Sequence, residues 1–158
     1  MIDPFCVAHL DTERLLREWR WLCPGPVTLE ARTAYGDLFL RDSAGQISLL
    51  DVAVGELRTF AASEADFRAR WENYDVRREA FAEADEEAAA ARGLAPNNLQ
   101  CIAFTIPTVL AESGQHSEPY LADIYECVAF LGDMHRQIAT VPDGGKVRMV
   151  IAPADSSK

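Results

Sequence analysis

Three histidines, four cysteines and a heavy load of carboxylates are the groups in this 158-residue chain that can do chemistry. A histidine oriented by a carboxylate is the usual general base. Only His135 has acidic company, with Asp123, Glu126 and Asp133 in "DIYECVAFLGDMH". That grouping admits a small enzyme working through His135 with Asp133 or Glu126. No serine or cysteine stands in a nucleophile-elbow setting, and no second histidine gives metal-ligand spacing. The competing account is therefore a helix histidine that meets a backbone group or a neighbouring carboxylate.

The other stretches that invite a ligand read better as structure. Asp42-Ser43-Ala44-Gly45-Gln46 offers one carboxylate before a glycine, and Ile47 and Leu49 stand where a calcium loop needs oxygens. Neither phosphate-loop pattern occurs, and Gly144-Gly145-Lys146 precedes an expected strand, so no helix N-terminus is there to hold an anion. Cys6, Cys23, Cys101 and Cys127 are scattered without CxxC spacing, which speaks against zinc or a disulfide framework and for buried thiols in a reducing compartment. No cofactor and no metal are expected.

Charge is the remaining feature. Residues 72 to 87 carry seven carboxylates against Arg77 and Arg78. In one continuous helix, Glu72, Asp75, Glu79, Glu83 and Glu86 share a face. Such a face is either simply solvated or a docking stripe for a cationic partner.

The elements that must position these groups follow from periodicity. Residues 11 to 23 place Leu15, Leu16, Trp19 and Leu22 at helical spacing behind an Asp11 or Thr12 cap, and Pro24-Gly25-Pro26 stops the helix. "VTLEARTAY" is assigned to a short helix. Residues 37 to about 60 form a three-stranded antiparallel meander that turns at Asp42–Gly45 and Asp51–Gly55, with Leu38, Leu40, Ile47, Leu49 and Leu50 as core. Ser63 opens a helix bearing Phe67 and Trp71, and an alanine-rich helix covers 75 to 92 before Gly93. "LQCIAFTI" and "YLADIYECVAF" read as strands around a polar loop at 111 to 119. "LGDMHRQIATV" reads as a short helix with Met134, Ile138 and Val141 inward, and residues 146 to 152 as a last strand. The order predicts a single α+β domain over residues 1–152 with a mainly antiparallel sheet and flanking helices, followed by a polar tail at 153–158.

A net charge of −10 with no Lys/Arg cluster beyond Arg77-Arg78 excludes the usual nucleic-acid footprint and disfavours anionic membranes. No apolar run approaches the length of a membrane span, and Met1-Ile2-Asp3-Pro4 does not read as a secretory leader. A cytoplasmic location is expected.

"LREWRWL", "YGDLFLRDSAGQISLLDVAVGEL", "CIAFTIPTVL" and "FLGDMHRQIATVPDGGKV" occur in an order that resembles the immunity-protein domain found with type VI secretion DNase effectors, the Tdi-type domain. The residues that carry the likeness are Tyr35-Gly36-Asp37-Leu38, Asp42 with Gly45, Leu50-Asp51, Gly55-Glu56-Leu57, Pro107-Thr108-Val109-Leu110 and Gly132 to Ile138. The resemblance spans most of residues 14 to 148. It implies a non-enzymatic protein that neutralises a cognate toxin by stoichiometric binding in the cell that makes it. Nuclease clefts are basic enough to hold phosphates, so the acidic face of Glu72, Asp75, Glu79, Glu83 and Glu86 is the expected contact. A toxin-unrelated interaction module is the remaining alternative.

Overall fold

The computed structural model of the chain describes residues 1–111 and 113–148. Helix α1 (Thr12–Leu16) starts where Asp11 accepts the Arg14 N–H, then tightens into a 3-10 turn over Arg17–Trp19. Leu15, Leu16 and Trp19 are wholly buried, as their helical spacing requires.

Four strands follow, β1 (Val27–Arg32), β2 (Leu38–Asp42), β3 (Ile47–Asp51) and β4 (Glu56–Ala61), each antiparallel to the next in the order β1-β2-β3-β4. The meander is thus one strand longer than expected, because residues 27 to 32 are strand and not helix. A helix there would leave the outer edge of β2 without backbone partners, and Val27 and Thr28 are β-branched. A register shift at Glu30 sends Leu29 and Ala31 into different clusters on the two sheet faces. The turns use the chemistry read from their residues. Asp42 accepts the N–H groups of Ala44 and Gln46, and Gly45 takes φ +87°.

Both faces of this sheet are covered. Leu38, Leu40 and Leu50 pack with Leu15, Trp19, Ile124 and Val128, whereas Phe39, Ile47, Leu49 and Ala61 pack with Phe67 and Phe81. That is why Leu38-Phe39-Leu40 is an unbroken apolar run: a strand buried on both sides has no polar face to alternate with. Fully burying a leucine of this kind contributes about 1.5–3 kcal/mol.

Helices α2 (Glu64–Glu72), α3 (Tyr74–Ala80) and α4 (Glu83–Ala91) come next. The expected continuous helix over 75 to 92 is broken. Phe81 leaves the helical path to stack on Phe39, with ring centroids 4.4 Å apart, and Ala82 takes a left-handed φ of +53° before α4 restarts. Burial of one aromatic ring outweighs the intrinsic helix preference of the alanines around it.

The second half is a hairpin and a long helix. Strands β5 (Gln100–Phe104) and β6 (Pro119–Asp123) pair antiparallel, with the short helix α5 (Ser113–His116) in the expected polar loop between them. "YLADIYECVAF" is strand only as far as Asp123. The Asp123 carboxylate accepts the N–H groups of Tyr125 and Glu126 and starts α6 (Ile124–Ile138), well before the helix start expected at Leu131. Ile124, Val128 and His135 are buried at helical spacing, Met134 beside them is buried too, and Val141 lies past the helix end and is exposed. Lys146 to Arg148 form no strand; residues 149 to 152 of the expected strand and the tail at 153–158 lie outside the described residues. Among the described residues no helix is long and apolar enough to cross a membrane.

Candidate functional site

His135 sits on the inner face of α6, only 5% exposed. Its Nε2–H donates to the Ala53 carbonyl at 3.2 Å, its ring lies 5.7 Å from that of Trp19, and it lies against Gly55. Burial lowers its pKa, against the opposing pull of the Ala53 and Val52 backbone and of Asp51. Asp133 turns to Arg136 and Gln137, whose hydrogen bonds hold its carboxyl low, and Glu126 is exposed two helical turns away. The geometry therefore does not assemble the pairing of His135 with Asp133 or Glu126. It uses the histidine to fasten the long helix to the turn between β3 and β4.

The acidic stripe is dispersed as well. Glu72 ends α2, Asp75 and Glu79 lie on α3, and Glu83 and Glu86 lie on α4 beyond the break. Glu83 pairs with Arg77 at 3.3 Å, and Glu86 is 4% exposed and accepts the Ile2 N–H. Glu72, Asp75 and Glu79 remain in solvent. The single face of five carboxylates is corrected to three exposed ones and two engaged in holding α4.

One concavity was not anticipated. It is a groove of about 960 Å³ between α4, the β5–β6 hairpin, α6 and the β3–β4 turn. Asp37 stands at its floor. Oδ2 accepts the Thr33 hydroxyl at 2.9 Å and Oδ1 the Val52 N–H at 3.0 Å, so Asp37 ties the entry of β2 to the exit of β3. Burial, helped by the nearby Asp51 charge, pushes its pKa up to about 6 despite those hydrogen bonds. Gly36 precedes it with φ +91°, and a side chain at Gly36 would meet Val128 and Cys101. The sequence marks Tyr35-Gly36-Asp37-Leu38 only through the motif resemblance; a signal that could have found the buried carboxylate is Thr33 four residues ahead, placed to bond it.

Asp123 and Glu126, considered only as companions of His135, in fact line this groove, together with Asp51 and Asp85. Tyr120 and Phe130 border it at 46% and 50% exposure. Cys127 also faces it. The Cys101 thiol behind donates a hydrogen bond to Cys127, which raises the pKa of Cys101 and lowers that of Cys127. Of the four thiols expected to be buried, Cys23 and Cys101 are; Cys127 is half-buried and Cys6 exposed. Among the described residues no group of three or more His, Cys, Asp or Glu side chains converges as a metal site would require.

Several residues singled out by the motif resemblance sit at close contacts between elements. Gly55 lies under His135, Gly36 under Val128, Asp37 bonds Val52, and Gly132 lets α6 reach Glu18 and Trp19, whose indole N–H donates to the Val128 carbonyl at 2.8 Å. Three of these contacts fix α6 against the 3-10 turn, the entry of β2 and the β3–β4 turn, and the fourth joins the entry of β2 to the exit of β3. No protein-family model, no curated protein and no solved structure matches this chain.

Proposed function

We propose that this protein acts by binding another protein, as a cytoplasmic immunity protein that neutralises a secreted toxin by forming a stoichiometric complex. The toxin class that the motif resemblance implies is a type VI secretion effector such as a DNase. The observation that carries the reading is the structural use of the motif residues: Gly55 and His135 join α6 to the turn between β3 and β4, Gly36 lets Val128 of α6 approach, Gly132 seats α6 on the 3-10 turn, and Asp37 ties Thr33 to Val52. A scaffold held by such contacts leaves its surface side chains available to a partner, which is the arrangement a dedicated binding protein needs.

The test is co-expression with a type VI secretion DNase effector from the same genome, sought first beside this gene. Cells making the toxin survive when this protein is present, and the two co-purify as a defined complex. Continued killing, or the lack of a complex between purified components, overturns the reading and leaves an interaction module unrelated to toxins. His135→Ala separates binding from catalysis. Protection persists in the variant at temperatures where it is folded, whereas a folded variant that has lost protection would restore the enzyme reading.

A further inference from the structure

The groove over Asp37 has a composition that calls for one kind of occupant. Five carboxylates line it, from Asp37, Asp51, Asp85, Asp123 and Glu126, and the guanidinium that shares it, Arg92, is drawn to Glu118 at 3.6 Å. Asp85 and Glu126 are exposed and enter no ion pair or side-chain hydrogen bond among the described residues. They differ in this from Glu83 and Glu87, which are engaged by Arg77 and Arg78 on α3. Negative charge held unpaired along a concave wall attracts and orients a cationic partner more strongly than the same charge on a convex helix face.

The apolar content of the groove is equally specific. Tyr120 on β6 and Phe130 on α6 stand about half exposed at its border, and Ala88, Ala89 and Ala122 leave room between them. Exposed aromatics beside small residues in a cleft form the kind of pocket that receives an anchoring side chain at protein interfaces.

We infer that this groove receives a basic segment of the partner protein, with Lys or Arg against Asp85, Asp123 and Glu126 and one aliphatic or aromatic side chain against Tyr120 and Phe130. The inference rests on the reading that the protein works by binding a protein partner. It moves the contact from the dispersed acidic stripe to the opposite wall of α4, where Asp85 and not Glu86 points outward.

The test does not require the toxin. The isotope-labelled protein is titrated with a short peptide amide that alternates lysine with leucine and phenylalanine, and with its glutamate counterpart. The basic peptide shifts the amides of residues 120 to 130 and 52 to 54, and the acidic one does not. Raising the salt weakens the effect. Glu126→Lys combined with Phe130→Ala weakens binding by about tenfold or more, because it removes one charge contact and one side of the pocket for the partner's anchor together. Both positions are exposed, so the fold is retained, which an unchanged spectrum away from the groove verifies. Shifts confined to other surfaces, equal binding of the acidic peptide, an undiminished response in the double variant, or occupation of the groove by a second copy in sedimentation each overturn the inference. Failure here leaves the toxin-neutralisation result standing, and failure of neutralisation leaves the peptide result standing.

Discussion

The His135 imidazole rests on the bare Cα of Gly55, where any Cβ would fall inside the ring's contact distance, and Gly55 itself holds a φ of +80°. Gly55→Ala therefore meets two penalties, backbone strain and displacement of α6. A loss of about 2 kcal/mol in chemical denaturation is expected. Adding His135→Ala relieves the steric part and not the strain, so the double variant costs less than the sum of the singles by about 0.5–3 kcal/mol. Strict additivity would show that the contact carries no energy.

Asp37 and His135 pull stability in opposite directions with pH. The folded state raises the pKa of Asp37 from 3.8 to about 6, so it binds the proton more tightly than the unfolded chain does. Its contribution is fully present below 3.8 and is lost as pH rises through about 6. The loss is at most about 3 kcal/mol, less where water reaching the groove tempers it. Asp37→Asn abolishes this dependence: wild-type stability minus variant stability falls between those pH values and is flat above them. His135 behaves in the reverse sense. Its pKa is lowered from 6.5, so its contribution is present above 6.5 and fades as pH falls through the folded value.

Ala82→Gly distinguishes a broken helix from a continuous one. At a left-handed φ of +53°, glycine removes the Cβ strain, and the variant gains about 0.5–1 kcal/mol. In a helix running unbroken from 75 to 92 the same change would cost about 1 kcal/mol. The sign of the shift in melting temperature reads out the answer.

Thiol labelling orders the four cysteines. Cys6 reacts first because it is exposed, then Cys127, which is half-buried and whose thiolate is favoured by the Cys101 S–H. Cys23 and Cys101 react only as the protein unfolds, since both are buried and both pKa values are raised, that of Cys23 by burial and that of Cys101 by its hydrogen bond to Cys127 and then by burial. Equal labelling of Cys101 and Cys127 under native conditions would contradict the arrangement.

Much of the fold was legible because local rules govern it. The turns at Asp42–Gly45 and Asp51–Gly55 carry their chemistry in adjacent residues, and Leu38, Leu40, Ile47, Leu49 and Leu50 bury as their pattern suggests. The errors fall where distant residues decide. β1 is a strand because β2 offers it an edge, and the helix over 75 to 92 breaks because Phe81 finds Phe39. The groove was least legible. Its walls come from four segments, and nothing local to Asp37 says that a helix from residue 124 onward will close over it.

The hydrogen bond from Trp19 to Val128 spans 109 positions in the chain, whereas every strand pairing from β1 to β4 joins neighbours in sequence. Folding rates follow such separations, because distant contacts must wait for loop closure. During synthesis the four-stranded meander is complete on the emerging chain before α6 exists, with Leu38, Leu40 and Leu50 covered on one face by the N-terminal helix alone. Arrival of the last helix seals that face, so a truncated or stalled chain presents a sticky sheet to chaperones and proteases, and quality control can read completion of the molecule from a single docking event.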